Sequence, residues 1–329
     1  MPTADDDPPW ITALATIANF TLLIVFGALR DLFRSKDPGK NKGYASLLND
    51  FQDFYTRRLY NRIQDCFNRP INSAPGAWTS VMLREFDDNT DASMHLTGKS
   101  ITALNLASYN YLGFAESDLD VRERVIATMR RLGVSTCSSR AELGTTDVHV
   151  ELERRVARFM DKEDAMVVGM GFATNSLVLP AMANKGDLIL SDELNHSSIV
   201  NGARLSQAEV RVFQHNSAKD LERKLRHAIS RGQTRSRRPF RKILVVTEGL
   251  FSMEGEILEL PAISRVCKRY KAYLYVDEAH SIGALGRSGK GVREHCDVDK
   301  DAVDVWMGTF TKAFGSVRGL RLLQFVAAH

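Results

Sequence analysis

A long apolar run close to the N-terminus is the first feature of the hydropathy pattern. Twenty consecutive residues, Trp10 to Leu29, carry no charge. At about 1.5 Å per residue, a helix of this length extends about 30 Å, which matches the hydrocarbon core of a bilayer. The run therefore predicts a transmembrane helix. Because Asn19 and several threonines interrupt it, a helix lying in the membrane interface or in a protein core is the alternative.

Charges on either side of the run predict its orientation. An acidic tail, residues 1–9, precedes the helix (10–29), and a basic linker, residues 30–43, follows it. Basic residues collect on the cytosolic side of membrane helices, so the body of the chain should lie in the cytosol. A cleaved signal peptide would need a basic leader and a shorter apolar stretch, and the charge pattern argues against one.

The segment after the linker has a mixed pattern. Apolar residues from Tyr44 to about Phe67 recur near a period of 3.6, which is typical of an amphipathic helix. Pro70, Pro75 and Gly76 then indicate a loop. We assign residues 44–105 to a helical and extended region that precedes the main domain.

From about residue 120 onward, short apolar runs alternate with helical segments. The strand-like runs lie at residues 165–169, 187–192, 209–215, 242–249 and 272–279. Short apolar strands separated by helices are typical of a parallel sheet covered on both faces. The predicted fold class is α/β, with a mainly parallel sheet in one large domain over residues 106–315. Ligands of such sheets bind at the carboxyl ends of the strands.

Composition narrows the class of protein further. Of the 329 residues, 26% are charged and 44% are hydrophobic, as in ordinary globular proteins. A net charge of +4 gives no reason to expect nucleic-acid binding, and a mean hydropathy of −0.21 excludes a multi-span membrane protein. Four separated cysteines without a CxxC pair exclude a disulfide-stapled fold and a zinc ribbon, and no metal site is predicted.

Polar residues of two motifs follow the first predicted strands. The glycine turn GMGFATN holds Gly171 and Phe172 and opens a helix, so its backbone N–H groups suit one phosphate. It also resembles a dinucleotide fingerprint, but Thr174 replaces the third glycine. His196 follows the next strand. A single histidine is more often a structural hydrogen-bonding residue than a catalyst.

Two later strand ends carry a carboxylate and a lysine. Asp277 and His280 lie three residues apart and can face one pocket, where a buried carboxylate needs a cationic partner. Lys312 lies in the apolar and hydroxyl-rich segment WMGTFTKAFG, where burial would lower its pKa. Thr309 and Thr311 beside it offer hydroxyls to a phosphate. Taken singly, a lysine is more often a solvated surface residue.

One cofactor would satisfy all of these groups. Pyridoxal phosphate has a phosphate, a ring nitrogen that needs a carboxylate and an aldehyde that needs a lysine. On this hypothesis Asp277 keeps the ring nitrogen protonated, and His196 stacks on the ring. His280 bonds the phenolic oxygen, and Lys312 binds the aldehyde and later moves protons at the substrate α-carbon.

The same motifs resemble a known enzyme family. GMGFATN, SDELNHSSI, YVDEAHSIGALG and GTFTKAFG are similar to motifs of the α-oxoamine synthases, which use pyridoxal phosphate to condense an amino acid with an acyl-CoA and release CO₂. Within this family, GYASLLNDFQDFYTRRLYNRI, NRPINSAPGAW and SYNYLGFA resemble the lysine-bearing subunits of eukaryotic serine palmitoyltransferases. The resemblance covers residues 44–315, and the N-terminal span agrees with it.

The resemblance implies a fold, an activity and partners. The fold would be the large domain of a fold-type I pyridoxal-phosphate transferase. The reaction would join L-serine and palmitoyl-CoA into 3-ketosphinganine, the first step of sphingolipid synthesis. The chain would lie in the endoplasmic reticulum membrane, paired with a homologous subunit that lacks the lysine and with small membrane regulators. The alternatives are another α-oxoamine synthase, such as 5-aminolevulinate or aminooxononanoate synthase, and an inactive regulatory partner.

The resemblance also implies roles for further residues. Ser252 would contact the cofactor, and Asn110 and Tyr111 match a segment that approaches the active site across the subunit interface. The phosphate would be held by the backbones of Gly171 and Phe172 and by the hydroxyls of Thr309 and Thr311.

The resemblance ends just after Gly315. Residues 316–329 read SVRGLRLLQFVAAH, where the family continues into a C-terminal small domain that carries an arginine for the substrate carboxylate. With this divergent tail we expect that domain to be missing, the last strand to be unpaired at the sheet edge and apolar faces to be uncovered. Such a chain on its own should be unstable or inactive.

Overall fold

The computed structural model describes residues 9–33, 50–56, 60, 63, 66–86, 94–116, 118–316 and 324–328. The chain divides into two compact units, the first formed by residues 1–73 and 78–104 and the second by residues 74–77 and 105–329. Most of the acidic tail, most of the basic linker and parts of the expected amphipathic helix 44–67 lie outside the described residues.

Helix α1 (Trp10–Leu32) contains the apolar run of the first unit. It has 23 residues with a mean hydropathy of 2.0, and it is long and apolar enough to cross a membrane. The hydroxyls of Thr16 and Thr21 each donate to a backbone carbonyl one turn earlier, at 2.8 Å. Because these hydroxyls are satisfied inside the helix, they do not oppose a membrane span.

Within the described residues, the first unit also contains a short helix and a β-hairpin. Helix α2 covers Asp50–Tyr55, and strands β1 (Trp78–Phe86) and β2 (Met94–Leu104) pair antiparallel. The register joins Trp78 to Leu104 and, after an irregularity near Met82, Phe86 to Met94.

Helices and strands alternate along the second unit. The helices are α3 (Leu119–Leu132), α4 (Asp147–Met160), α5 (Gly171–Met182), α6 (Ser197–Leu205), α7 (Ala218–Arg231), α8 (Leu260–Tyr270) and α9 (Val292–His295). The strands are β3 (Asp164–Val168), β4 (Leu188–Asp192), β5 (Glu209–Phe213), β6 (Ile243–Glu248), β7 (Leu250–Phe251), β8 (Glu256–Ile257), β9 (Tyr273–Asp277), β10 (Val305–Thr309) and β11 (Gln324–Ala328). All of the predicted strand runs are strands.

Seven of these strands form one sheet, in the order β3-β11-β10-β9-β6-β4-β5. Neighbours from β10 to β5 are parallel, and β11 runs antiparallel to both β10 and β3. The predicted α/β fold with a mainly parallel sheet is confirmed. Strands β7 and β8 form a separate hairpin after β6.

The divergent tail contributes the antiparallel strand. Gln324 of β11 pairs with Thr309 of β10 on one side and with Val168 of β3 on the other. The expectation that β10 is left unpaired at the sheet edge is therefore wrong, because β10 has a neighbour on each side. Strand pairing uses backbone groups, which every residue except proline supplies in full, so a tail unlike the family's can occupy this position.

Side chains of the central strands alternate between two apolar layers. On one face Leu190, Val245 and Trp306 pack in a cluster with residues of α4, α7 and α8. On the other face Ile189 and Tyr275 pack with residues of α5 and α6. A slip of one residue would exchange the two faces, so this burial fixes which residues stand at the carboxyl ends. These terminal residues are Asp192, Glu248, Asp277 and Thr309.

Candidate active site

A cavity of about 380 Å³ lies at the carboxyl ends of the parallel strands. The structure brings eight of the predicted site residues to its wall, namely Gly171, Phe172, His196, Asp277, His280, Thr309, Thr311 and Lys312. The wall is completed by Met170, Asn175, Ser198, Glu248, Ala279 and Met307. The predicted residues thus share one cavity although they come from four separate segments of the chain.

Part of the cavity wall suits an anion. Gly171 and Phe172 form the first turn of α5, and the leading N–H groups of a helix have no carbonyl partner within it. The hydroxyl oxygens of Thr309 and Thr311 are 2.6 Å apart, and the backbone N–H of Thr311 donates to Thr309 Oγ1 at 3.0 Å. Backbone and hydroxyl donors therefore meet in one cavity, as a phosphate site requires.

Asp277 ends β9 and is buried, with 4% of its surface exposed. Its Oδ2 accepts a hydrogen bond from Asn175 Nδ2 at 2.7 Å, and its Oδ1 accepts one from the backbone N–H of Ala279 at 2.8 Å. An N–H donor on each oxygen fixes the carboxylate and lowers the cost of burying it.

Lys312 follows β10 at the wall of the same cavity. Burial is the largest influence on its amine and lowers its pKa below the ordinary 10.5, whereas the negative charges of Asp277 and Glu248 act in the opposite direction. The predicted direction is confirmed. A lower pKa increases the fraction of neutral amine, which is the nucleophilic form.

His196 caps the N-terminus of α6. Its backbone N–H donates to Glu248 Oε1 at 2.5 Å, and its Nδ1 lies 2.7 Å from Ser198 Oγ. Its ring meets the ring of Phe172 edge to face, with centroids 6.2 Å apart. Hydrogen bonds to Glu248 and Ser198 therefore hold the backbone and the side chain of His196 in place.

His280 is the other histidine of the wall, and Tyr111 lies beside it. The Tyr111 hydroxyl is 2.8 Å from His280 Nδ1. Burial first, and then the positive charges of Lys312 and His196, lower the pKa of His280 to about 4. Burial raises the pKa of Tyr111, so the phenol stays protonated at neutral pH and can donate to Nδ1 when the ring proton of His280 is on Nε2.

Asn110 and Ser252 do not line the cavity. Asn110 organises the turn before α3, since its side chain donates to the carbonyl of Pro75 at 3.2 Å and accepts from the backbone N–H of Ala115 at 3.1 Å. Ser252 is exposed in the turn between β7 and β8, so the structure does not bring it to the other site residues. Tyr111 contacts a site residue of its own chain, and an approach across an interface stays a prediction.

Two buried groups of the wall are not among the predicted site residues. Glu248 is 6% exposed, and burial first, then the charge of Asp277, raises the pKa of its carboxyl. The sequence shows it as a polar residue at the end of an apolar run, but the cofactor hypothesis gives it no role. Asn175 is 1% exposed and stands in the motif GMGFATN, but nothing local shows that its amide reaches Asp277. Among the described residues, no group of three or more His, Cys, Asp or Glu is placed to hold a metal.

Comparison with known proteins defines the class of this fold and site. The family model for aminotransferase class I and II matches residues 101–322, and the chain belongs to this family. Long chain base biosynthesis protein 2d of Oryza sativa subsp. japonica is 54% identical, over 94% of this chain and 64% of that protein. Serine palmitoyltransferase 2 of Schizosaccharomyces pombe is 47% identical, over 96% of this chain and 53% of that protein.

Two similar solved structures are also those of serine palmitoyltransferases. The serine palmitoyltransferase of Sphingomonas wittichii is 30% identical and superposes with a TM-score of 0.68, covering 86% of this chain and 64% of that chain. The S. paucimobilis enzyme with bound PLP–myriocin aldimine is 28% identical with a TM-score of 0.67, covering 85% of this chain and 64% of that chain. The chain spans about 64% of the length of the first curated relatives that it matches.

Proposed function

We propose that this chain is the lysine-bearing, catalytic subunit of a serine palmitoyltransferase, a pyridoxal-phosphate-dependent acyltransferase. The net reaction joins L-serine and palmitoyl-CoA to give 3-ketosphinganine, CoA and CO₂. The observation that carries the proposal is that one cavity combines a buried carboxylate, a lysine of lowered pKa and the donors for a phosphate. Relatives at 47–54% identity support this choice among the possible reactions.

The residues of the wall fit pyridoxal phosphate group by group. The α5 turn at Gly171 and Phe172, with the hydroxyls of Thr309 and Thr311, would hold the phosphate. Asp277 would hold the ring nitrogen, since a carboxylate is the natural partner of a protonated pyridine. A volume of about 380 Å³ lies in the range of small-molecule sites. When bound, the cofactor supplies an aldehyde for an amine and a cationic ring that withdraws electrons from the substrate α-carbon.

The remaining side chains would orient the reactants and carry protons. Lys312 would hold the cofactor aldehyde and, once released from it, would take the proton from the serine α-carbon; burial lowers its pKa and so increases the fraction of neutral amine. His280 would donate a ring proton to the phenolic oxygen of the cofactor. His196 would cover the ring face and exclude water from it.

We also propose a membrane setting and partners. Helix α1 would be a single-pass anchor in the endoplasmic reticulum membrane, with the second unit in the cytosol. A homologous subunit without the lysine would complete a heterodimer, with Asn110 and Tyr111 in the segment that faces it, and small membrane proteins would regulate it. The length of α1 and the basic residues after it support the anchor, and the family resemblance supports the partners.

The lysine can be tested directly by chemical trapping. After incubation with pyridoxal phosphate and reduction with sodium borohydride, peptide mass spectrometry should find the pyridoxyl group on Lys312. Lys312→Ala should lose this label, and Lys268→Ala, at an exposed lysine of α8, should keep it. Labels on surface lysines with none on Lys312 would contradict the proposal.

The choice of reaction needs a second measurement. Co-expressed with a lysine-lacking subunit in membranes, the chain should form 3-ketosphinganine from labelled serine and palmitoyl-CoA, and the Lys312→Ala chain should not. Turnover of glycine or alanine in place of serine would identify another α-oxoamine synthase. Capture of the other subunit without any product would identify an inactive regulatory partner.

A further inference from the structure

One asparagine links the two residues that the proposed function places on the cofactor ring. Asn175 lies in the second turn of α5 and is 1% exposed. Its amide nitrogen donates to Asp277 Oδ2 at 2.7 Å and to Ser198 Oγ at 3.0 Å. Its amide oxygen accepts from the Tyr275 hydroxyl at 2.8 Å. Both amide protons and the amide oxygen are therefore bonded to buried groups.

These partners allow one orientation of the amide. Burial, and secondly the charge of Asp277, raise the pKa of Tyr275 well above 10.0, so its hydroxyl stays protonated and donates. A reversed amide would place its oxygen against a carboxylate oxygen of Asp277, and two acceptors at hydrogen-bond distance repel each other. Tyr275 and Asp277 are two residues apart on β9, so the strand directs both toward the same face.

The Ser198 hydroxyl connects the oriented amide of Asn175 to His196. Since Ser198 Oγ accepts from Asn175, its own proton is available for His196 Nδ1, which lies 2.7 Å away. The backbone N–H of Ser198 also donates to Nδ1, at 3.2 Å. A nitrogen that receives donors carries the lone pair, so the ring proton of neutral His196 is on Nε2.

We propose that Asn175 is a positioning residue that sets the Asp277 carboxylate and the His196 ring relative to one another. The consequence for cofactor binding rests on the proposed function, whereas the hydrogen bonds do not. A planar group with two donors and one acceptor is needed at this place, and among side chains of this size asparagine alone supplies it. Aspartate would put a second carboxylate beside Asp277, and leucine would remove all three bonds.

The test combines a histidine tautomer with cofactor affinity in the full chain. With ¹⁵N-labelled histidine, and with the signal assigned through His196→Gln, the cofactor-free wild-type chain should show His196 as the Nε2–H tautomer. Asn175→Ala and Ser198→Ala should both raise the fraction of the Nδ1–H tautomer without making it complete, because the backbone N–H of residue 198 still donates to Nδ1. Asn201→Ala is the matched control, because the Asn201 amide donates to Ser176 Oγ at 3.2 Å between the same two helices and contacts neither ring residue.

The affinity for pyridoxal phosphate then distinguishes the bond from Asn175 to Asp277 from the bond from Asn175 to Ser198. Asn175→Ala should raise the dissociation constant of pyridoxal phosphate by about 10- to 100-fold, because Asp277 loses one charge-assisted donor. Ser198→Ala should raise it by no more than about threefold, since it leaves that donor in place. A Ser198→Ala chain as impaired in affinity as Asn175→Ala would contradict the assignment of the amide to Asp277.

Other results would overturn the inference. An Asn175→Ala chain that keeps the His196 tautomer and binds the cofactor within twofold of wild type shows that the amide positions neither residue. Should Asn175→Ala not fold, Ser198→Ala carries the tautomer test, because it removes the hydroxyl that links the amide to His196. Tyr275→Phe leaves the bond from Asn175 to Asp277 in place and should keep the wild-type tautomer. A wild-type chain that does not bind pyridoxal phosphate would end the proposed function, while the tautomer of the cofactor-free chain would still decide the inference.

Discussion

Burial in the cavity wall keeps His280 in its neutral form. His280 is 7% exposed and its pKa is lowered to about 4, so the ring is neutral at physiological pH. The phenol of Tyr111 reaches Nδ1 from one side, and the ring of Tyr109 meets it edge to face with centroids 5.3 Å apart. A neutral ring with its proton on Nε2 can donate to an anionic oxygen without adding a positive charge to the cavity.

We expect His280 to make the stability of the fold depend on pH between about 4 and 6.5. In this window the unfolded chain binds a proton that the folded chain excludes, so the free energy of unfolding falls as the pH falls. The loss from this residue should be roughly 2 kcal/mol at pH 5. Urea unfolding of wild type and of His280→Asn at pH 7 and pH 5 measures it, and the variant should lack this part of the loss.

Glu278 acts in the opposite sense, which makes the comparison with the variant necessary. Burial raises the pKa of Glu278 from 4.5 to about 7, so the folded chain holds a proton that the unfolded chain releases. Its contribution to stability therefore increases as the pH falls through this range. If the free energy of unfolding changes equally with pH in wild type and in His280→Asn, the folded chain does not exclude a proton from His280.

Single residues also show how far the sequence predicts the site. Asp277 and Lys312 could be found because each stands at the end of an apolar run, where a charged side chain is unusual. Asn175 could not, since its role depends on Tyr275 and Ser198 from two other elements. Ser252 was assigned by resemblance, and the structure leaves it exposed in a turn.

Between β9 and α9, one buried carboxylate organises the connecting segment. Glu278 is 0% exposed and accepts from the Ser281 hydroxyl and from the backbone N–H of Val292, which lies 3.1 Å from each carboxylate oxygen. Val292 is the first residue of α9, so the carboxylate binds the N-terminus of that helix. Gly291 precedes it with a φ of +82°, and a Cβ at this position would overlap the Glu278 carboxylate.

Two glycine substitutions separate these effects. Gly255 also has a positive φ, +72°, but nothing lies within 4 Å of an added Cβ. Gly255→Ala should cost about 1–2 kcal/mol of unfolding free energy, which is the cost of the left-handed backbone alone. Gly291→Ala should cost about 2 kcal/mol more, because it displaces a buried carboxylate from its donors. Urea denaturation measures both, and equal losses would show that Glu278 does not depend on this contact.

At the level of elements, the sequence predicted the strands whose short apolar runs end at polar residues. The antiparallel strand β11 was not expected, although QFVAA is itself an apolar run at residues 324–328. The expectation for the tail rests on how its sequence differs from that of the family. Pairing with β10 and β3 depends on backbone geometry, which a comparison of side chains does not test.

The chain as a whole combines an apolar helix with a sheet-based unit, and the helix can be tested by itself. Most of the apolar side chains of α1 are exposed, and we expect it to hold the chain in membranes during alkaline carbonate extraction. Leu22→Arg places a charge near the helix centre, where insertion costs about 2.5–3.5 kcal/mol, and should release much of the chain. Leu32→Arg, at the helix end, should not. Equal extraction of both variants would argue against a span.

The position of β11 constrains the order in which the sheet can form. The parallel strands β10, β9, β6, β4 and β5 are linked without it, whereas among the described strands β3 joins them through β11. Val168 and Gln324, which pair across β3 and β11, are 324 − 168 = 156 residues apart in the chain. Closing so long a loop is slow, because its entropy must be lost before the contact is gained. We therefore expect the β3 edge to assemble last, while the parallel strands hold their own packing until it does.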